Sequence, residues 1–460
     1  MEGFELSKAV NANNVFLVKH SGLESRIDPH QYHHERIGAI RAIKAKNKAA
    51  KLSQVVTSAK QITTEINPHD VYIGLENITS NTGEYIATGD KQSISSAGVF
   101  KKGQILFPKL RPYLNKVHLA GFDGICSTEF HIFQAKNINA EFLAIYLRSD
   151  LILNKTKHLM TGNTLPRLQT EDIEKLPVPL LSSEVQQKII EFYGDAYYQK
   201  QQKEQQAQTL LDGIDGYLLN ELGITLPQQD NRLEKRIFTV PFSEVVGKRV
   251  DPDYRLKYEL LFSQNGKYEF VKLKELLIDT PQYGANEEGR ERNSDEDVRY
   301  IRITDIDELG NLKNNDWKTA QNIEEQYLLK KDDILFARSG SVGRCYIHKE
   351  TEQSAIFAGY LIRFKLNEQK LNSNFMFYYC NSKFYKFWVT AIERPAVQSN
   401  INAEEYKALP IPLPPIEKQN EIAAHISQIR AQAKQLQADA AQVLANAKAE
   451  IERMILGENS

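Results

Sequence analysis

A chain of 460 residues, 41% of them hydrophobic and with a formal net charge of −1, carries enough apolar side chain for two or three domains and has no global cationic field to draw in a polyanion. Its three cysteines, Cys126, Cys345 and Cys380, lack CxxC spacing. They exclude a disulfide scaffold and a structural zinc site and suit a reducing compartment. The opening MEGFELSKAVNANN has no basic-then-apolar leader and no long apolar run follows, so a soluble, cytoplasmic protein with no membrane partner is expected.

In chain order, the first ~180 residues alternate β-branched and aromatic runs, such as KVHLAGF and HIFQA, with Gly and Asn turns. These read as half-buried strands. A helix built on Phe142, Ile145 and Tyr146 follows, which makes a mixed α+β globule. At 176–189 the chain reads LPVPLLSSEVQQKI. Leu-Pro-x-Pro holds the backbone extended, and Ser182 or Ser183 can then cap a helix with Glu184 near its positive end. That helix has a seam at Val185, Ile189, Phe192, Ala196, Leu210, Ile214 and Leu218, weakened by Gln199, Lys203 and Gln206, and ends at Gly223 and Pro227.

The second half repeats the first. RIDPHQY at 26 returns as RVDPDYR at 249, VYIGLENI at 71 as RYIRITDI at 299, GQILFPKLR at 103 as DDILFARSG at 332, and NAEFLAIYLRSD at 139 as NSNFMFYYCNSK at 372. The offset drifts from 223 through 228 and 229 to 233, as loop insertions in a duplicated domain require. CYIHKE and GYLIRFKL supply the matching strands, and Phe375, Tyr378 and Tyr379 the matching helix. The aromatic run FMFYYCNSKFYKFW reads as core rather than as a base-stacking platform.

LPIPLPPIEKQNEI at 409–422 then opens a second long helix, with Glu417 in its first turn. Its apolar positions, Ile422, Ile426, Ile429, Ala433, Leu436, Ala440, Val443 and Ala447, step by four and three in a heptad seam. Each helix runs to roughly 40 residues, about 60 Å, and neither is stable alone with so narrow a stripe. An antiparallel intramolecular pair with pseudo-twofold symmetry is the economical expectation. Homodimerisation through the same seams is the alternative.

Catalytic signatures are missing. No GxxxxGK[ST] loop occurs, and SGSVG at 339–343 reads as a turn. No Asn-Pro-Pro-aromatic motif, methyl-donor fingerprint or complete nuclease carboxylate set is present, PDYRLKYE at 252–259 included. His30, His33 and His34 lack partners spaced to complete a metal site and read as a solvated helix face. The chain reads as non-catalytic.

Charge is nonetheless local. No acid lies between Arg36 and Thr64 or between Lys91 and Phe122, while cations are frequent in both stretches, a pattern suited to phosphate contacts. Two loops per half carry side chains able to read base edges. One holds Lys109, Arg111, Asn115 and Lys116 in the first half and Arg338, Ser339, Ser341 and Arg344 in the second. The other holds Asn163, Thr164 and Arg167, then Arg394, Gln398 and Asn400.

Two globules, each closed by LP[VI]PLxxxExQxxI and a heptad helix, together with the RxDP starts and DDILFARSGSVGR, resemble the DNA specificity subunit of Type I restriction-modification enzymes. The resemblance spans the whole chain. It implies target-recognition domains at 1–178 and 226–411, spacer helices at 179–225 and 412–460, and a bipartite, asymmetric site on double-stranded DNA. It also implies two copies of a modification subunit holding S-adenosylmethionine and a restriction subunit using ATP with Mg, this chain itself holding no cofactor. A coiled-coil scaffold that does not bind DNA, and an enzyme with an unrecognised pocket, are the competing readings.

Overall fold

The structure, a computed structural model, describes residues 47–87 apart from 60 and 68, 95–160, 166–226, 266–349 apart from 314, 353–393 and 399–458, with parts of 15–43 and 232–261. The chain divides into two compact units, residues 1–204 with 438–460, and residues 205–437.

The first unit contains β1 (Ala49–Lys51), β2 (Val56–Ala59), β3 (Ile105–Pro108), β4 (His118–Leu119), β5 (Phe130–Ala135), α1 (Ala140–Leu147) and β6 (Pro177–Pro179). β2, β5, β3 and β4 form an antiparallel sheet in that order. Phe107, Phe133, Phe142 and Tyr146 pack its core. α2 (Ser183–Leu222) begins in this unit and ends in the other.

The second unit repeats the plan with β7 (Phe270–Lys272), β8 (Gln282–Tyr283), β9 (Ile334–Ala337), β10 (Cys345–Ile347), β11 (Leu361–Phe364), α3 (Ser373–Tyr379) and β12 (Pro410–Pro412). Its sheet order, β8-β11-β9-β10, is the same. Each unit also has a short parallel pair, Tyr72–Ile73 with Gly124–Cys126 and Arg299–Ile301 with Ala355–Phe357. The aromatic run is core: Phe375, Tyr379, Phe384, Tyr385 and Trp388 are all buried. The fold is a tandem repeat of mixed helix-and-sheet domains. α4 (Ile416–Leu456) closes the described chain.

The Leu-Pro-x-Pro phrase has a physical explanation in both units. β6 pairs antiparallel with β1, Ala50 facing Val178. Leu180 N–H donates to Lys48 and Leu52 N–H to Leu176, each at 2.8 Å. Alternate residues face the ladder, so Pro177 and Pro179 turn away from it and their missing N–H groups cost nothing. The outward carbonyl of Pro177 accepts the Tyr146 hydroxyl. β12 on β7 does the same, the Tyr379 hydroxyl donating to Pro410 at 2.7 Å.

One glutamine per unit then locks the start of the long helix. The Gln186 side-chain oxygen accepts Asn139 N–H at 3.0 Å and its amide donates to Leu181 at 2.9 Å. Gln419 repeats this with Asn372 at 2.9 Å and Pro414 at 2.8 Å. Asn139 and Asn372 in turn cap α1 and α3 with their side-chain oxygens.

Each unit also includes a stretch of both long helices. In the first, Ile189, Tyr193, Leu444, Ile451 and Ile455 join the core, and Lys203 lies 3.8 Å from Asp439. In the second, Leu218, Leu222, Ile422 and Ile426 are core, the rings of Tyr217 and His425 lie 4.4 Å apart, and Lys418 pairs with Glu221 at 2.8 Å.

Of the expected seam, Ile189, Ala196, Leu218, Ile422, Ile426, Ala433, Ala440 and Ala447 are buried, while Val185, Leu210, Ile214, Ile429, Leu436 and Val443 are half-buried. Phe192 is a correction: it is 41% exposed, and Tyr193 is buried in its place. Tyr193 lies beneath the Arg148 guanidinium, 5.6 Å from its ring centre. Further along, Ala207 rather than Gln206 is buried. A helix that packs on its own globule buries a stripe that a strict heptad count places one residue off.

Gln419→Ala removes all three hydrogen bonds of a side chain with no exposure and strands the Asn372 N–H and the Lys370 and Pro414 carbonyls. We expect a loss of about 2–4 kcal/mol in urea unfolding, against less than about 0.5 kcal/mol for exposed Gln442→Ala.

Candidate nucleic-acid interface

The described residues of the two candidate loops of each half, distant in sequence, meet in space. In the first unit, Lys109 follows β3 directly. Its N–H donates to the Glu129 carbonyl at 2.8 Å and its carbonyl accepts Leu168 N–H at 2.9 Å. Arg111 N–H donates to Pro166 at 2.9 Å, and Leu110 bridges Arg167. In the second unit, Arg338 N–H donates to the Tyr360 carbonyl at 2.9 Å and its carbonyl accepts Ile401 N–H at 2.8 Å, while Ser339 bridges Asn400. The backbone frame is the same, but the side chains differ. Lys109, Glu129 and Arg167 occupy it in one unit; Arg338, Tyr360 and Asn400 occupy it in the other.

The turn beyond this frame also matches. Gly340 and Gly343 have φ of 76° and 82°; at the matching places Arg111 has φ 48° and Asn115 φ 51°. An exposed arginine thus sits in a left-handed conformation for which its counterpart uses glycine. Such strain persists where the surroundings enforce it, and it concentrates at functional sites.

Several candidates serve the loops themselves. Asn115 is buried, its amide donating to the carbonyl of Arg148 at 2.9 Å and to the side chain of Asn81 at 3.1 Å. Lys116 donates to Leu75 at 2.8 Å. Arg344 donates to Ile306 at 2.7 Å, and Ser339 is buried. Asn115, Lys116 and Arg344 thus each serve a backbone carbonyl of their own unit, a duty that takes up polar donors near a tight turn. Ser341 lines a cleft of about 330 Å³ with Arg344, Lys386 and Glu393. Asn163, Thr164, Arg394 and Gln398 lie outside the described residues.

Arg111 is exposed, and Lys109 and Asn400 are half-buried. Arg338 lies with its guanidinium 5.0 Å from the centre of the Tyr283 ring. Arg167 makes a two-pronged pair with Glu129, Nε at 3.1 Å and Nη2 at 2.9 Å. That bond holds the Glu129 carboxyl below the usual carboxylate range, against the opposing effect of partial burial. Burial, aided by Lys109, pushes His131 down to about 4, so its ring is neutral near pH 7.

The sequence reading missed Glu129, Tyr113 and Tyr360. Tyr113 is 45% and Tyr360 63% exposed, on the candidate turn and beside Arg338 respectively. Only Tyr113 sits within a loop that composition marks; the other two are brought in by strand pairing. Among the described residues, no group of three or more His, Cys, Asp or Glu could hold a metal ion, and no helix is long and apolar enough to cross a membrane.

A twice-repeated mixed domain presenting matched loops is the class this architecture defines. A model of the Type I restriction modification DNA specificity domain matches residues 45–210 and again 265–444. The chain belongs to that family and carries its domain twice. It is 24% identical over 307 residues to the Type I restriction enzyme StySPI specificity subunit of Salmonella potsdam, over 65% of this chain and 60% of that protein. It is 30% identical over 136 residues to the EcoDI specificity subunit of Escherichia coli, over 28% of this chain and 30% of that one. The chain thus spans less than two thirds of the length of these curated relatives. In fold it is similar to a solved chain from a study of complex assembly and conformational transition of the type I R-M system. The TM-score is 0.52 at 18% identity, over 90% of this chain and 98% of that one.

Arg111→Gly should relieve the left-handed strain and leave the unfolding midpoint unchanged or raised. Gly340→Ala, whose added methyl would meet only Ile303 Cδ1 at an ordinary 3.8 Å but whose φ is 76°, should cost about 1 kcal/mol. Thermal unfolding of the two variants checks both signs.

Proposed function

We propose that this chain is the non-catalytic, sequence-specific DNA-binding subunit of a cytoplasmic Type I restriction-modification system, reading a bipartite, asymmetric site with two recognition domains. The observation that carries the reading is the family domain occurring twice, each copy holding one backbone frame with different polar and aromatic side chains. One frame with two sets of contacts is what reading two unlike half-sites requires. Domains at 1–178 and 226–411, with spacers at 179–225 and 412–460, are the corresponding division.

The two long helices pair antiparallel as a coiled coil and fix the unread gap between half-sites. Support comes from pairs whose numbers fall in α4 as they rise in α2: Lys203 with Asp439, Tyr217 with His425, and Glu221 with Lys418. Two copies of a modification subunit supply S-adenosylmethionine, and a restriction subunit supplies ATP- and Mg-dependent cleavage. With a net charge of −1, the chain alone is a weak DNA binder, and partners around the duplex add affinity.

Sequencing of modified bases in cells making this chain with its modification subunit should reveal one bipartite motif, absent without the chain. No motif overturns the reading and favours a scaffold that does not touch DNA. One heptad inserted into both helices adds about 10.5 Å, so the gap should grow by about 3 bp. An unchanged gap refutes the ruler.

A further inference from the structure

We propose that the base preference of each recognition domain is set in the slot flanking Lys109 or Arg338, by Glu129 with Arg167 in the first domain and by Tyr360 with Asn400 in the second. This rests on the DNA-reading function proposed above and names the residues and base pairs through which it acts.

The slot is defined by backbone alone. Lys109 and Arg338 each donate to the residue that precedes the returning strand, Glu129 or Tyr360, and each accepts from the residue after Arg167 or Asn400. The four bonds lie between 2.8 and 2.9 Å, so the flanking residues leave the backbone at corresponding places. A substitution there changes chemistry without changing the frame.

The two occupants are chemically unlike. The Glu129–Arg167 pair is open to water, with side chains 28% and 45% exposed. An ion pair so exposed contributes little to stability, so stability is a weak reason for a charged pair here. Its two-pronged geometry fixes the plane of the guanidinium, which a planar base edge requires. Arginine so held matches the O6 and N7 acceptors of guanine, and a carboxylate can accept from the N4 amine of cytosine. In the second domain Tyr360 offers an exposed apolar ring, suited to a thymine methyl, and the Asn400 amide matches adenine N6 and N7. The first domain is therefore assigned a G·C pair at this position of its half-site, and the second an A·T pair. Glu129 acts as a positioning residue, Arg167 as the reader.

The test uses the full chain produced with its modification subunit, read by sequencing modified bases. In the native motif, a first half-site without any G·C pair overturns the assignment. Glu129→Gln and Arg167→Lys should each lower modification of native sites roughly 10- to 100-fold relative to sites altered at one position. The second half-site and the gap should stay as they are. Tyr360→Ala should relax one position of the other half-site instead. Retained reading of the untouched half-site shows that each variant is folded and assembled. An unchanged motif, or equal loss on every sequence, overturns the proposal while leaving the DNA-binding function standing. A native chain that directs no modified motif removes that function, and this assignment with it.

Discussion

The buried carboxamides of Gln186 and Gln419 govern how each domain meets its long helix. Each one ties the cap of α1 or α3 to the chain just before α2 or α4, using both ends of the amide. A neutral group of this kind avoids the desolvation cost of a buried ion pair and is directional, so it sets the helix's rotation as well as its origin. A 40-residue helix with mean hydropathy near neutral needs such a fixed start, because an apolar stripe alone leaves its rotation loosely specified. The extended Pro strands beside it serve the same end: they cannot join the helix, so it begins at one place.

With the framework fixed by backbone hydrogen bonds, side chains at the loop ends are released from structural duty in some places and bound to it in others. Asn115 and Arg344 are bound, since each satisfies carbonyls inside its own unit. Arg111, Glu129 and Tyr360 project from matched backbone positions whose geometry does not depend on their identity. A duplicated domain can diverge in what it recognises only where that separation holds. The left-handed φ of Arg111 shows its cost: the turn demands the conformation, and the first unit meets it without glycine.

The even balance of charge belongs to the same picture. Cations near the loops are partly engaged internally, as Arg167 is by Glu129 and Lys116 by Leu75. In the proposed interface such engagement would trade bulk attraction for orientation.

The sequence by itself determined the duplication, the α+β class, the two long helices and the four loop segments. Those follow from local periodicity and from ordered repetition, which need no three-dimensional knowledge. It also marked the Leu-Pro-x-Pro phrase as a junction, though not the reason its prolines fall on the silent side of a ladder. Only the tertiary structure decided that Tyr193 rather than Phe192 faces inward. A helix packed on its own globule buries a stripe that a strict heptad period does not describe. Only the tertiary structure separated Arg111 from Asn115, and placed Glu129 and Tyr360 beside the loops. Those assignments depend on which backbone groups lie unpaired across a sheet, and pairing between residues 20 to 63 positions apart is not written in either segment alone.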